Sequence, residues 1–321
     1  MIYAPVIIPT LNRIEHLKDC LTSLERNKFA DKTDVFIALD CPPSEKYVEG
    51  YEKVREYLET AKFGFASLTV VKREINYGPI DNGSKLIDEV FEKYDRCIFS
   101  EDDNIFAPTF LEFMNECLEK YADNEDILAV YGFRPRIKNT YSEGNKVIKV
   151  NYFSAYGCGL WRDKHRDMVR NVNRQYIEDL CCNKGKMKRI AEVCPEGICY
   201  LASILLRKEK LYQTPDGRVQ LIDTVRIIHA IAENKYLLCS PIRLILNNGY
   251  DGSGAHCSVS VNKFASASLD DHEQECIVKV CDEPEFRELD FKLQKNRIIP
   301  YISAILRIKI WRIIAKRKVI G

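Results

Sequence analysis

The sequence predicts an α/β fold in which helices wind around a mainly parallel sheet. Short apolar runs of strand length alternate with longer segments whose apolar residues recur at helical spacing. Strand and helix alternate four times in the first part of the chain, at about the spacing of βαβ units. With 321 residues and a hydrophobic fraction of 46%, the chain can also bury a sizeable core.

Each strand of the first half is predicted from its apolar run and each helix from its periodicity. Apolar residues from Leu17 to Leu24 share one face of the first helix, which should end near Asn27. Residues 81–84 are predicted as a turn and cap before the third helix. The predicted strands cover 4–9, 35–40, 68–71 and 97–100, and helices follow at 17–24, 44–61, 86–91 and 111–118.

The pattern changes after Phe133 and indicates a second lobe that closes over the first. Residues 147–153 are predicted as a strand and 157–161 as a tight loop. Three or four helices should fill 162–232. We therefore divide the chain into two halves of one domain, 1–133 and 134–260, and a C-terminal extension, 261–321.

The N-terminus and the cysteines indicate the compartment. Residues 1–9 contain no basic segment and no apolar run of signal-peptide length, so we expect a cytoplasmic protein. The thirteen cysteines are scattered without a C-x-x-C pair, which favours reduced thiols. A zinc site at Cys181, Cys182, Cys194 and Cys199 is less favoured than buried structural cysteine, because the spacings match no common finger.

The charge of the chain is unevenly distributed. The net charge is +1, yet residues 291–321 carry nine Lys or Arg and no acid, so the rest of the chain carries −8. Residues 298–314 mix bulky apolar residues, Trp311 and cations, which is typical of a helix lying on an anionic membrane. The alternative is a terminal helix that packs on the acidic body of the protein.

Three consecutive acids, Glu101, Asp102 and Asp103, follow a predicted strand directly and are expected in the loop that leads from this strand to the next helix. Carboxylates this close repel one another unless something positive lies among them, and a divalent cation is the favoured candidate. Ligands of open α/β sheets bind at the carboxyl ends of strands, where these acids lie. A solvated acidic loop is the alternative. An EF-hand is excluded, because Ala107 stands where its invariant glycine should be.

The chain contains no glycine-rich phosphate loop, which argues against Rossmann dehydrogenases and P-loop enzymes. A phosphate ligand would have to be bound in another way. A divalent cation held by Asp103, with Glu101 or Asp102 beside it, could neutralise a diphosphate.

The chain resembles the nucleotide-sugar glycosyltransferases of the GT-A fold, in particular family-2-like bacterial enzymes and the N-acetylglucosaminyltransferase I group. Five segments carry the resemblance, in the order of the family: 6–13, 100–104, 152–162, 220–223 and 247–256. The resemblance implies a nucleotide-sugar-binding first half, an acceptor-binding second half and a basic amphipathic C-terminal helix. In the family, the last acid of a DXD-type motif holds Mn²⁺ or Mg²⁺ against the sugar diphosphate, which points to Asp103.

The resemblance also implies the roles of individual residues. Asp103 would hold the metal, and His256, in a glycine-rich loop, would contact the metal or the diphosphate; a structural His256 is the alternative. The alternative roles are a turn carboxylate for Asp40, a helix cap for Asn82 and a solvated surface lysine for Lys85. The residues expected around the nucleotide and diphosphate are Pro9, Thr10, Asn12, Arg13, Asp40, Asn82, Lys85, Glu101 and Asp102.

Asp223 would be the general base of an inverting displacement, taking the proton from the acceptor hydroxyl. Ile222 stands where the family usually has Trp, so Asp216, Glu178 and Asp179 remain alternatives for the base.

The leading hypothesis is a metal-dependent, inverting glycosyltransferase of surface polysaccharide synthesis. It would use a UDP-sugar donor and a glycan or lipid-linked acceptor, and it would be held at the inner face of the cell membrane by its C-terminal helix. No nucleic-acid partner is expected. The alternatives are a nucleotidyltransferase acting on sugar phosphates and an inactive membrane-associated binding protein of the same fold.

Overall fold

The main sheet contains nine strands in the part of the chain that the computed structural model describes, residues 2–134, 146–205, 222–249, 251–252, 278–288 and 297–320. Two further short strands form a separate small sheet. In chain order the strands are β1 Val6–Thr10, β2 Asp34–Leu39, β3 Ser67–Lys72, β4 Arg96–Phe99, β5 Asn104–Phe106, β6 Ile127–Tyr131, β7 Ile148–Val150, β8 Cys158–Trp161, β9 Tyr236–Cys239, β10 Ile245–Asn247 and β11 Glu285–Phe286.

Helices cover both faces of this sheet. The helices are α1 Ile14–Glu25, α2 Val48–Thr60, α3 Gly78–Val90, α4 Phe110–Lys120, α5 Arg162–Asn171, α6 Arg174–Cys182, α7 Lys184–Val193, α8 Pro195–Leu205, α9 Asp223–Ala232 and α10 Ile298–Ile320. One core packs α1, α2 and α4 against the sheet, and the other packs α3 and α6 to α10 against its opposite face. The predicted α/β class is therefore confirmed.

The strand order explains where a ligand can bind. The main sheet runs β11-β7-β9-β6-β8-β4-β1-β2-β3, and β1 is parallel to both β2 and β4. The chain winds outward from β1 to β3 and then returns to β4 on the other side of β1. The carboxyl ends of β1, β2 and β4 therefore meet at a switch point of the topology, where open sheets bind ligands.

The prediction of a tight loop at 157–161 is wrong, because Cys158–Trp161 forms β8 in the interior of the sheet. This strand pairs antiparallel with both β4 and β6. Its glycines serve other purposes than a loop. Gly157 has a φ of 60° and turns the chain into the strand. A Cβ on Gly159 would come within 2.9 Å of Met114 Cε, so glycine here lets α4 pack closely on the sheet.

Three further predictions need correction. Residues 81–84 are the second turn of α3, not a turn before it, because the helix begins at Gly78 with Pro79 in its first turn. The acids lie between β4 and the short strand β5, not between a strand and a helix. Between residues 162 and 232, five described helices begin rather than three or four. Each has only 9 to 11 residues, so the helices are shorter than expected.

Helix α10 packs on the body of the protein through one face. Ala304 and Ile308 are buried against the core that includes α6 and α8, and Arg312 Nε donates a hydrogen bond to the carbonyl of Cys181. The predicted C-terminal helix is therefore present and docked. Among the described residues, no helix is long and apolar enough to cross a membrane.

Lys164 on α5 fastens the loop between α4 and β6. Its Nζ donates to the carbonyls of Tyr121 at 3.1 Å, Asn124 at 2.7 Å and Ile127 at 2.9 Å, and lies 4.0 Å from the centre of the Trp161 ring. All three ammonium donors are thus used by the backbone of one loop.

We expect Lys164→Met to lower the free energy of unfolding by about 2–3 kcal/mol, because hydrogen bonds to charged groups are stronger than neutral ones. Urea denaturation measures this change. Lys188→Met is the matched control, since Lys188 is 77% exposed and its loss should change stability by less than about 0.5 kcal/mol. Equal effects of the two substitutions would contradict the assigned role of Lys164.

Candidate active site

A cavity of about 630 Å³ opens at the carboxyl ends of β1, β2 and β4. Its lining contains most of the residues that the sequence predicted for nucleotide and metal. These residues are Pro9, Thr10, Asn12, Arg13, Asp40, Asn82, Glu101, Asp102 and Asp103. Lys85 is not in this lining, and His256 lies outside the described residues. The fold thus brings together residues that lie up to 94 positions apart, from Pro9 to Asp103.

The positive group among the acids is the guanidinium of Arg13. Its Nη2 pairs with Asp102, and its Nη1 lies 2.8 Å from Asp103 Oδ2. Thr10 Oγ1 donates to the other oxygen of Asp102 at 2.7 Å. Burial opposes the charged form of Arg13, but the two carboxylates outweigh it and raise its pKa. Burial also raises the pKa of Asp102, although Arg13 and Thr10 act against the shift.

Asp103 is held by the segment that follows β10. Asn247 Nδ2 donates to Asp103 Oδ1, and the Asn248 backbone N–H donates to the Asp103 carbonyl at 2.9 Å. A Cβ on Gly249 would overlap Asp103 Oδ2, so this position requires glycine. The antiparallel pairing of β5 with β10 places the two segments side by side. The described start of the predicted glycine-rich loop therefore lies directly on the acid cluster.

The chemistry at Asp103 fits a cation shared with a ligand. Carboxylate oxygens suit Mn²⁺ or Mg²⁺, and Mg²⁺ is commonly held by one or two carboxylates together with substrate phosphates. Across the described ranges, no group of three or more His, Cys, Asp or Glu is arranged to hold a metal by itself. Arg13 Nη1 is buried against Asp103 Oδ2 at 2.8 Å, so the guanidinium stays on the carboxylates of the cluster.

Glu101, the first acid of the cluster, interacts electrostatically with Asp223 as well as with Asp102 and Asp103. Burial, together with the charges of Asp103, Asp223 and Asp102, raises the pKa of Glu101 to about 8. Its carboxyl group therefore holds a proton at neutral pH when no cation is bound nearby, and it can donate a hydrogen bond as well as accept one.

Asp40 shapes the wall of the cavity. Its Oδ1 accepts from the backbone N–H of Cys41 and of Tyr77, both at 3.0 Å. Its Oδ2 accepts from the Gly78 N–H at 2.8 Å and from Asn76 Nδ2 at 3.1 Å. A carboxylate has about four acceptor positions, and all are used here. Asp40 thus ties the end of β2 to the start of α3, and its contact with a base or ribose stays a prediction.

Asn82 and Lys85 both have protein partners. Asn82 Oδ1 accepts from Arg73 Nε, and its Nδ2 donates to the Ala38 carbonyl, each at 2.9 Å. Lys85 Nζ lies 4.0 Å from Glu89 and faces the Tyr77 ring. Asn82 therefore positions α3 along the cavity wall, and the diphosphate contact of Lys85 stays a prediction.

A second cavity of about 400 Å³ adjoins the first and contains Asp223. Asp223 is the first residue of α9, it is exposed at the cavity surface, and its carboxylate accepts a hydrogen bond from the Ala155 backbone N–H. The surrounding protein raises the pKa of Asp223 to about 6 by desolvation, although the positive charge of Arg226 acts against this. Pro79, Phe99 and Glu101 line both cavities.

The alternative bases are less well placed. Glu178 accepts from Arg174 at 2.7 Å and Asp179 from Gln175 at 2.9 Å, both within α6, and neither lines the two cavities. Asp216 lies outside the described residues. Among the candidates that the structure describes, Asp223 alone shares a cavity with Glu101.

Among the cavity residues that the sequence did not single out are Asn76, Asn247, Tyr156 and Arg226. Asn76 lies just before Gly78, whose φ of 76° belongs to a turn. Asn and Gly are common turn residues, so this turn could have been predicted from the sequence. Asn247 and Tyr156 lie within recognised segments, but their individual contacts could not be predicted. Arg226 follows Asp223 by one helical turn, and its burial was not expected for an arginine.

Comparison with known proteins identifies the family of the chain. The chain matches the family described as glycosyl transferase family 2 over residues 6–190. This match contains the acid cluster and more than half of the chain. Among curated proteins, none matches significantly.

Several solved structures are similar to the chain. Two are of TarS from S. aureus. For TarS 1-349 the identity is 16%, the TM-score is 0.36, and the match covers 51% of this chain and 49% of that one. For the other TarS structure the identity is 12%, the TM-score is 0.37, and the coverage is 73% and 34%.

A third similar structure is the mannosyltransferase PcManGT from Pyrobaculum calidifontis, in complex with GDP-Man and Mn²⁺. It shows 13% identity and a TM-score of 0.41, and the match covers 72% of this chain and 69% of that one. The chain thus spans about a third to a half of the two TarS structures. On the family match over residues 6–190, the chain belongs to glycosyl transferase family 2, a family of glycosyltransferases.

Proposed function

We propose that the protein transfers a sugar from a UDP-sugar to a hydroxyl of a glycan or lipid-linked acceptor, with inversion at the anomeric carbon, in surface polysaccharide synthesis. The observation that carries this proposal is the arrangement of the acids. Asp102 and Asp103 line one cavity, Asp223 lines the next, and Glu101 belongs to the wall between them. A donor diphosphate at Asp103 and an acceptor base at Asp223 would then lie on either side of the shared wall of Pro79, Phe99 and Glu101.

The larger cavity suits the donor nucleotide. Its volume of about 630 Å³ falls in the range of small-molecule sites, and its lining carries several polar side chains on an otherwise apolar surface. The Arg13 guanidinium, paired with Asp102 and Asp103, supplies a positive charge to this lining. A Mn²⁺ or Mg²⁺ ion held by Asp103 would neutralise charge on the leaving diphosphate, and the described residues leave the other ligand positions to phosphate and water.

Asp223 suits the role of general base. Its carboxyl group is mostly ionised at neutral pH with a pKa of about 6, and it lies at the positive end of α9. It would accept the proton of the acceptor hydroxyl while that oxygen attacks the anomeric carbon and the bond to the diphosphate breaks. Attack from the side opposite to the leaving group inverts the anomeric configuration.

The product of the reaction distinguishes the proposal from its alternatives. Incubation of the full chain with UDP-sugars and Mn²⁺ should release UDP, slowly to water and faster with a suitable acceptor. Release of pyrophosphate would instead identify a nucleotidyltransferase. Nucleotide binding without any release would indicate an inactive binding protein.

The pH dependence should report Asp223. Because desolvation raises its pKa to about 6, we expect kcat/KM to fall about tenfold for each pH unit below that value, as the protonated carboxyl cannot accept a proton. Steady-state rates of UDP release across this range measure the profile. A rate that stays constant well below pH 6 would contradict the assignment of Asp223 as base.

We further propose that α10 attaches the protein to an anionic membrane surface. The face opposite the docked one carries an apolar stripe with helical spacing, and each member is more than half exposed: Ile299, Ile302, Leu306, Ile310 and Ile313. The exposed Arg307 and Lys309 accompany the stripe, and no acid occurs from residue 291 onward. Apolar burial and attraction to anionic lipid would act together.

Vesicle sedimentation tests the membrane proposal. The wild-type chain should bind vesicles rich in phosphatidylserine. The triple change Ile302→Ser, Leu306→Ser, Ile310→Ser should reduce binding about tenfold or more, because three apolar side chains that would be buried in the membrane are lost. Ile75→Ser is the matched control, since Ile75 is 60% exposed but lies far along the chain from the stripe. Binding that the triple change leaves unaltered would contradict the proposal.

A further inference from the structure

The smaller cavity differs in chemistry from the donor cavity that it adjoins. Most of its described lining is hydrocarbon, contributed by α3, β4, β8, the segment before β8 and the start of α9, and the bulky members are Ile80, Ile87, Phe99, Phe153, Leu160 and Ile222. The charged members among the described residues are Glu101, Asp223 and Arg226.

The arginine does not make this wall polar. The Arg226 guanidinium lies 4.9 Å from the centre of the Phe153 ring and contacts His165 Nδ1 at 3.4 Å. Its Nη1 is 3.9 Å from Met168 Sδ, and the residue is only 7% exposed. The guanidinium is therefore engaged with the protein interior, and the other polar side chains among the described lining residues are Glu101, Asp223, Ser84 and Thr224.

The geometry places the transferred sugar at the mouth of this cavity. The proposed diphosphate site is at Asp103, two residues after Glu101, and the proposed base is Asp223. A sugar between the two must lie against Phe99 and Glu101, which line both cavities. Gly83 supports this wall, because a Cβ there would come within 3.0 Å of Phe99 Cε2.

A sugar hydroxyl pointing into this cavity would lose its hydrogen bonds to water and meet hydrocarbon instead. A methyl group in the same place would gain from leaving water. We infer that the cavity binds a methyl-bearing substituent of the transferred sugar, either the methyl of an acetamido group or that of a deoxy sugar. This inference rests on the proposed function, and it adds the class of donor that the site prefers.

The test compares donors that share one nucleotide. Hydrolysis of UDP-glucose, UDP-N-acetylglucosamine and UDP-6-deoxyglucose is measured with Mn²⁺, and the Kd of UDP is measured separately. At least one methyl-bearing donor should exceed UDP-glucose by about tenfold or more in kcat/KM, the discrimination typical of a single apolar group. The donor that does so identifies the acetamido or the deoxy substituent.

A cavity-filling variant completes the test. Ser84 lines the small cavity but not the donor cavity, so Ser84→Leu should reduce the preference to less than about threefold and leave the Kd of UDP unchanged. Ser84→Ala adds no volume and should keep the preference. Should Ser84→Leu fail to fold, Ile80→Phe fills the same cavity from the same helix.

Two outcomes overturn the inference. One is that UDP binds but wild type uses UDP-glucose as well as the methyl-bearing donors. The other is that a folded cavity-filling variant retains the preference. If UDP does not bind at all, the proposed function is overturned together with the inference.

Discussion

Replacing Asp223 by Asn should lower kcat by about 10²–10⁴-fold, the usual contribution of a positioned general base. The amide keeps the size of the side chain but cannot accept the hydroxyl proton. Because desolvation raises the pKa of Asp223 to about 6, folding favours the protonated form of this carboxyl group relative to the unfolded chain. Any stabilising contribution of this group is therefore present below the ordinary pKa and lost as the pH rises through 6. At neutral pH the Asn variant should melt no lower than wild type.

Asp179→Asn is the matched control for this variant. Asp179 accepts a hydrogen bond from Gln175 on α6 and lies outside both cavities. Its replacement should leave kcat within about twofold of wild type, as expected for a surface change. The UDP Kd should be unchanged in both variants, because Asp223 does not line the donor cavity. Full activity of Asp223→Asn would remove the base from the mechanism.

Replacing Arg13 by Leu should lower the free energy of unfolding by about 3–5 kcal/mol in the presence of EDTA. Arg13 is the cation between Asp102 and Asp103, whose side chains are only 6% and 8% exposed. Without it, two carboxylates stay buried with no positive partner among their described contacts. Urea denaturation measures the loss.

Mn²⁺ should restore part of this stability. If Asp103 binds a divalent cation, the ion can supply the positive charge that the Arg13→Leu variant lacks. Mn²⁺ should therefore stabilise this variant more than it stabilises wild type. Arg55→Leu is the control. Arg55 pairs only with exposed acids of its own helix, so its loss should change stability by about 1 kcal/mol or less, with or without Mn²⁺. Equal effects of Mn²⁺ on the Arg13 variant and on wild type would argue against a cation at Asp103.

The first half of the fold was predictable because its signals are local. The apolar runs of β1 to β4 and the periodicity of α1 and α4 are visible in single segments, and parallel βαβ winding follows from their alternation. The strand β8 was missed because its Gly157 and Gly159 are ordinary loop signals. Their actual purpose, a left-handed turn and the close approach of α4, depends on contacts with distant parts of the chain.

The acid cluster was predictable, but its partners were not. Three adjacent carboxylates require a positive neighbour by electrostatics alone. That Arg13 supplies the charge depends on a contact across 89 residues, and the hold of Asn247 on Asp103 spans 144 residues. The same limit applies to Asp40, whose four hydrogen-bond donors come from Cys41 and from the turn before α3. Sequence patterns identify such polar groups, whereas topology decides what they contact.

The most direct test of the donor site is a thermal-shift measurement of the full chain with a panel of nucleoside diphosphates, with and without Mn²⁺. Saturating UDP with Mn²⁺ should raise the Tm by about 5 °C or more. Asp103→Asn should remove most of the increase in Tm that depends on Mn²⁺. If none of UDP, GDP, dTDP, CDP or ADP raises the Tm under either condition, the cavity at Asp103 is not a nucleotide-sugar site and the proposed function is wrong.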